Sequence, residues 1–241
     1  MSDIIKEMKI GSGGTCTVFK GSVNQKGIVK KVALKYFNSE THNDILKNEY
    51  RVMQKISHNN IVKLFAFIPT ESLLVLELCG VEFEGKVLYD LYGWCKNYKI
   101  RNEGVDYSLL DQILDGLGFL HKENIVHADM KPMNCLTTGE VQSPTVKLAD
   151  FGLAYSQMIT MTQTQHSSIG KGRGTDIYKG PESANPKAKW RTFANDVYAF
   201  SFTAIELLFP VRETGYGDLL EDSPTIFSIL RLKMDGTPPP I

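Results

Sequence analysis

The sequence predicts an α+β fold in two unequal parts, a small antiparallel β lobe with one main helix and then a larger, mostly helical lobe. Two observations carry this expectation. Up to about residue 78 the chain breaks into short β-branched runs, at 4–11, 15–21, 28–37, 61–67 and 72–78, separated by glycine or polar turns as antiparallel strands are. Beyond that point apolar residues recur at helical spacing over 88–98, 107–122, 193–209 and 224–234.

The helix of the small lobe is expected over 43–56, where Ile45, Glu49, Val52, Met53 and Ile56 share one face. The texture changes at 77–80, which divides the chain into a small lobe over 1–76, a hinge over 77–80 and a large lobe over 81–241. The last helical segment opens with Pro224 behind Ser223, a proline at the first helical position after an N-cap.

With 241 residues, 42% of them hydrophobic, the chain is long enough to bury a sizeable core without staples. Lys plus Arg and Asp plus Glu number 27 each, so bulk charge favours neither a nucleic-acid nor a membrane-surface role. Cys16, Cys79, Cys95 and Cys135 are scattered with no C-x-x-C, and MSDIIKEMKI has no apolar leader character. A reduced, cytoplasmic setting without disulfides or a thiolate zinc site is expected. The most apolar run, 199–209, contains Glu206 and meets Pro210, short of the roughly 20 residues a bilayer needs, so no membrane insertion is expected.

Four segments carry chemistry. Ile10-Gly11-Ser12-Gly13-Gly14-Thr15-Cys16-Thr17-Val18 lies between two strands, where glycines let backbone N–H groups approach an anion; a glycine-rich hairpin turn is the competing reading. Lys35 stands on the third strand among apolar neighbours, where a charge normally needs a partner, and Glu49 on the apolar face of the helix is the candidate; a solvated edge lysine and a surface glutamate are the competing reading. In His127-Ala128-Asp129-Met130-Lys131-Pro132-Met133-Asn134 the proline excludes helix, leaving a loop on which a carboxylate, an ammonium and an amide can converge. Finally 145–152 reads as an alternating strand ending in Asp150-Phe151-Gly152, whose Asp is either a turn residue or an oxygen donor for a hard cation.

The order of these segments, closed by Gly180-Pro181-Glu182, resembles the eukaryotic-type protein kinase family over about 4–240. The resemblance implies a bilobal protein-kinase-like fold, ATP and Mg2+ as cofactors, and a role for each motif residue. Gly11, Gly13 and Val18 would cover the nucleotide, Lys35 would bind its α- and β-phosphates, and Glu49 would anchor Lys35. Leu76 would be the gatekeeper, Glu77 to Cys79 the adenine-binding hinge, and Val18, Ala33 and Leu136 the walls around the ring. Asp129 would orient and deprotonate the substrate hydroxyl, Lys131 would steady the phosphoryl group, and Asn134 and Asp150 would hold two magnesium ions. Met53, Leu64, Phe151 and His127 would form a column rooted at Asp196.

Lys131 and the Gly174-Thr175-x-x-Tyr178-x-x-Pro181-Glu182 pattern resemble serine/threonine kinases, so the implied partner is a protein with a Ser or Thr acceptor. Ser57-His58-x-x-Ile61-Val62 and Asp196-Val197-Tyr198 resemble the tyrosine-kinase-like group. Three features depart from the pattern: Cys16 replaces a loop glycine, Ala128 stands where arginine is usual, and the chain stops at Ile241, where the large lobe would continue into its last helices. The apolar face of 224–234 is then expected to be exposed or covered by a partner. The rival functional readings are a catalytically weak kinase-like scaffold and a small-molecule phosphotransferase.

Overall fold

Strand alternation organises the first part of the molecule, which a computed structural model describes together with the rest of residues 3–38, 43–98, 103–156, 178–184 and 191–208. Strands β1 (Asp3–Ser12), β2 (Cys16–Gln25), β3 (Ile28–Phe37), β4 (Leu64–Ile68) and β5 (Leu73–Glu77) form one sheet in the order β1-β2-β3-β5-β4. Every pairing in it is antiparallel. On β3, Val32 and Leu34 point to one face, where they pack with Leu73 and Val75, while Ala33 and Phe37 join the main core on the other. That second face receives helix α1 (Asn43–Met53), which buries Ile45, Leu46, Asn48, Glu49, Val52 and Met53, an amphipathic stripe at i, i+3, i+4 and i+7.

Two details differ from the sequence expectation. Strand β2 runs through Gly21 to Gln25, and the turn comes at Lys26 and Gly27, whose φ angles of 52° and 84° suit a tight hairpin. Gly21 is a packing glycine: a Cβ there would lie 2.6 Å from the Ile5 carbonyl oxygen and 2.5 Å from Leu34 Cδ1.

Among the described residues the second part carries the three helices expected there, with shifted ends: α2 (Leu91–Asn97), α3 (Glu103–Lys122) and α4 (Phe193–Leu208). Its described strands form three antiparallel pairs: β6 (Val81–Phe83) with β7 (Lys86–Leu88) ahead of α2, and, between α3 and α4, β8 (Ile125–Val126) with β11 (Tyr155–Ser156) and β9 (Cys135–Glu140) with β10 (Ser143–Leu148). Of these, β10 overlaps the strand expected over 145–152, while the two- and three-residue strands carry no periodicity to read. Helix α2 starts at Leu91 because the Asp90 carboxylate caps it, accepting from the Gly93 N–H at 2.7 Å. The helix expected over 224–234 lies outside the described residues, as do Gly174 and Thr175. Among the described residues no helix is long and apolar enough to cross a membrane.

The two parts share one apolar core, from Ala33 and Leu76 through Leu148 and Phe151 to Ala199 and Phe202. They are stitched by residues 60–62 along β10: the Leu148 N–H donates to Asn60 O (2.8 Å), the Val62 N–H to Leu148 O (3.0 Å) and the Asn60 amide to Val146 O (2.9 Å).

Helix α3 packs against this seam, and its two inner glycines are therefore not equivalent. A Cβ on Gly116 would sit 2.9 Å from the Asn60 carbonyl oxygen, whereas one on Gly118 would meet nothing within 4 Å. The gain in helix propensity, about 1 kcal/mol for either site, is thus free at Gly118 and opposed by overpacking of about 1–3 kcal/mol at Gly116. Gly118→Ala is expected to raise the urea midpoint and Gly116→Ala to lower it; movement in the same direction would contradict this packing.

Candidate active site

Lys35 sits on the core-facing side of β3, opposite Val18 on β2 and Leu74 on β5. Its ammonium lies 2.7 Å from both carboxylate oxygens of Glu49 and 3.1 Å from Asp150 Oδ1. Lys35 is 6% exposed and Glu49 1%, while the Asp150 side chain keeps 43% exposure. Burial opposes the charge on Lys35, but Asp150 and Glu49 outweigh it and hold the ammonium protonated well above the ordinary lysine range. Burial pushes Glu49 up against the pull of Lys35; Asp150 resists burial and lies below the usual carboxylate range because Lys35 is beside it. Breaking such a buried pair by removing one partner typically costs about 3–5 kcal/mol.

The second cluster is built on the loop after β8. Asp196, wholly buried near the start of α4, accepts the backbone N–H groups of His127 and Ala128 at 2.8 Å each, and His121 Nε2 lies 2.9 Å away. This holds Ala128 at φ 64°, a left-handed conformation that costs a non-glycine residue about 1–2 kcal/mol. The reversal aims the Asp129 carboxylate at two donors, for its Oδ2 accepts from Lys131 Nζ at 2.9 Å and from Asn134 Nδ2 at 2.8 Å. Pro132 opens the short 3-10 turn Pro132–Asn134 that brings Asn134 back to Asp129. The other oxygen, Asp129 Oδ1, is buried and has no hydrogen-bond partner among the described residues. Burial raises the affinity of this carboxylate for a proton, against the opposing charge of Lys131.

The structure therefore brings Lys35, Glu49 and Asp150 together, and Asp129, Lys131 and Asn134 together, with Asp150 close enough to Lys131 to feel its charge. Val18, Ala33, Leu76, Cys79 and Leu136 belong to the same apolar core, with Ala33 directly opposite Leu76 across β3 and β5. Burial pushes the Cys79 thiol up to about 12. Gly11 pairs opposite Val18, and Gly13 closes the β1–β2 turn by donating its N–H to Cys16 O at 2.9 Å. The Glu77 side chain is engaged through Oε2, accepting from the Lys63 N–H at 3.2 Å and lying 3.3 Å from Lys147, and its backbone N–H donates to Lys63 O at 2.9 Å. Met53 and Phe151 are buried in the core, Leu64 packs against it, and the His127 ring lies 5.1 Å from that of Phe151.

Sequence reading passed over two residues. Lys147, 7% exposed, donates to Asn59 O at 2.8 Å behind the segment that carries Glu77. Asn48, 4% exposed, donates to backbone carbonyls beyond Asp150. The signal for Asn48 was present: the face that makes Glu49 inward also makes its neighbour inward, and a buried amide needs acceptors. Chemically, the assembled groups offer an ammonium for an anion, a carboxylate and an amide oxygen for a hard cation, and one open carboxylate oxygen for a proton.

The chain is also similar to known proteins over most of its length. The protein kinase domain family matches residues 4–217. Cysteine-rich receptor-like protein kinase 26 of Arabidopsis thaliana is 31% identical over 225 residues, 90% of this chain and 31% of that protein. Serine/threonine-protein kinase atg1 of Dictyostelium discoideum is 31% identical over 228 residues, 90% of this chain and 31% of that protein. Human calcium/calmodulin-dependent protein kinase type IV is 35% identical over 158 residues, 64% of this chain and 31% of that protein. The chain thus spans just under a third of the length of these curated relatives. A family match running from β1 past the end of α4, together with both polar clusters, means that the chain belongs to the protein kinase domain family.

Proposed function

We propose that this chain is a serine/threonine protein kinase that transfers the γ-phosphoryl group of ATP to a protein hydroxyl. The observation that supports this best is the joint of Lys35 with both Glu49 and Asp150, since it links the β lobe to the segment that follows β10. In the proposed reaction Lys35 holds the α- and β-phosphates, and the backbone of Gly11 and Gly13, with Val18, covers them. Val18, Ala33 and Leu136 enclose the adenine, while Leu76 bounds the pocket and the backbone of Glu77 to Cys79 supplies polar contacts. Asp129 Oδ1, the buried oxygen without a partner, accepts the proton of the substrate hydroxyl. The substrate's deprotonated hydroxyl oxygen then bonds to the γ-phosphorus, the bond from phosphorus to the β,γ-bridging oxygen breaks, and ADP leaves while Lys131 offsets charge on the moving group.

The donor set fits magnesium. No group of three or more His, Cys, Asp or Glu that could hold a metal occurs among the described residues. Magnesium needs no such cage when phosphates and water complete its shell. Asp150 presents a partly exposed carboxylate, and Asn134, whose amide N–H groups are spent on Asp129, keeps its amide oxygen for a cation. Bound there, magnesium would neutralise phosphate charge. Lys131 supports the serine/threonine assignment; the tyrosine-kinase-like affinity rests on Ser57, His58 and the 196–198 motif alone.

Two outcomes are expected. Asp129→Asn keeps the shape of the side chain but not its basicity, so transfer from magnesium ATP to a generic protein should fall by about 10²–10⁴-fold with ATP binding retained in a direct titration. A rate within a few-fold of the parent would remove Asp129 from the reaction. Acid hydrolysis of the phosphorylated substrate should yield phosphoserine and phosphothreonine; phosphotyrosine as the main product would refute the substrate class.

A further inference from the structure

Asn48 lies on the buried face of α1, immediately before Glu49, and its amide nitrogen reaches three successive parts of the segment after Asp150. Gly152 O is 3.0 Å away, Ala154 O 2.8 Å and Phe151 O 3.5 Å. An amide group has two hydrogens, so the carbonyls of Gly152 and Ala154 take them and that of Phe151 sits at the limit of reach. The segment lies directly on α1, for a Cβ on Gly152 would come within 2.6 Å of Ile45 Cγ2. The segment also has little of its own to hold it. Its described backbone bond is the Ala154 N–H to Phe151 O at 3.1 Å, and strand pairing resumes only at Tyr155 opposite Val126. Asp150 stands at φ 65°, a left-handed conformation that persists in a non-glycine residue only when its surroundings hold it.

Two adjacent residues of one helix therefore grip both ends of a five-residue stretch. Glu49 acts at the Asp150 end through Lys35 and by accepting the Phe151 backbone N–H, and Asn48 acts on the carbonyls at 152 and 154. We infer that Asn48 is a positioning residue that locks α1 to the Asp150–Ala154 backbone, so that Glu49 reaches Lys35 and Asp150 takes its place as one movement. A donor set this specific goes beyond filling space, since an apolar side chain of the same volume would leave two buried carbonyls without partners.

The inference rests on the phosphotransfer reading, and the test separates the two. Asn48→Leu and Asn48→Asp both keep the branching at Cγ and both remove the amide donors, one with a somewhat larger apolar side chain and one with a polar side chain of the same volume. With magnesium ATP and a generic protein substrate, each should lose roughly ten- to a hundredfold in kcat, the scale of a small misplacement of reacting groups, with less than about a threefold change in the KM of the protein substrate. Hydrogen exchange should quicken in 43–53 and 150–156 and stay at parent rates in α3 and α4. A kcat within twofold of the parent in either variant, or exchange quickened evenly across both lobes, would overturn the assignment. Should the parent itself fail to transfer phosphate, the phosphotransfer reading falls, while localised exchange still decides whether Asn48 is the lock.

Discussion

The Lys35 ammonium is almost wholly buried between carboxylates from two different elements, Glu49 on α1 and Asp150 beyond β10, and much of the candidate site follows from that one placement. A buried charge must be compensated, and here one positive group faces two negative ones. The surplus negative charge is carried by Asp150, the member of the trio that keeps substantial exposure. The site is thus prepared on its open side for a cation and on its Lys35 side for an anion. The nucleotide triphosphate and divalent ion of the proposed reaction have both charges. Asn48 adds an uncharged version of the same device, tying the same two elements through amide and carbonyl groups.

A second buried carboxylate governs the loop that carries Asp129. Asp196 has no exposure and collects two backbone N–H groups and a histidine ring nitrogen, which satisfies its lone pairs without a salt bridge to lysine or arginine among the described residues. Charge-assisted bonds of this kind are about twice as strong as neutral ones, enough to offset the left-handed strain at Ala128. The consequence is positional. With residues 127 and 128 pinned to α4, Asp129 has little freedom, and Lys131 and Asn134 close on the same carboxylate oxygen while leaving the other open.

Much of this was legible beforehand. The 28–37 strand has the bounds expected of it, because β-branched alternation is a local property, and the helix over 43–56 was displaced only at its C-terminal end. The run over 15–21 was expected to end at Gly21, which lies instead inside β2, at the point where β1 and Leu34 approach too closely for any side chain. The β8–β11 pair of the second part was not legible because its strands are two residues each, and pairing across about thirty positions leaves no trace in either segment.

The sequence by itself determined the inventory of chemistry and its order along the chain: a glycine turn, a lysine on a strand, a glutamate on a helix face, then the 127–134 loop and Asp150. Those features are local, set by residue type, spacing and the conformational limits of glycine and proline. Only the tertiary structure decided which of these groups meet. Lys35 and Asp150 are 115 positions apart, and Ala128 and Asp196 are 68 apart, at separations where neither periodicity nor propensity says anything about distance. It also decided which polar atoms are spent and which are left over, as with the engaged side chain of Glu77 and the open oxygen of Asp129. Hydrogen-bond satisfaction belongs to a packed interior taken as a whole, so it became readable only once the burial of every neighbour was known.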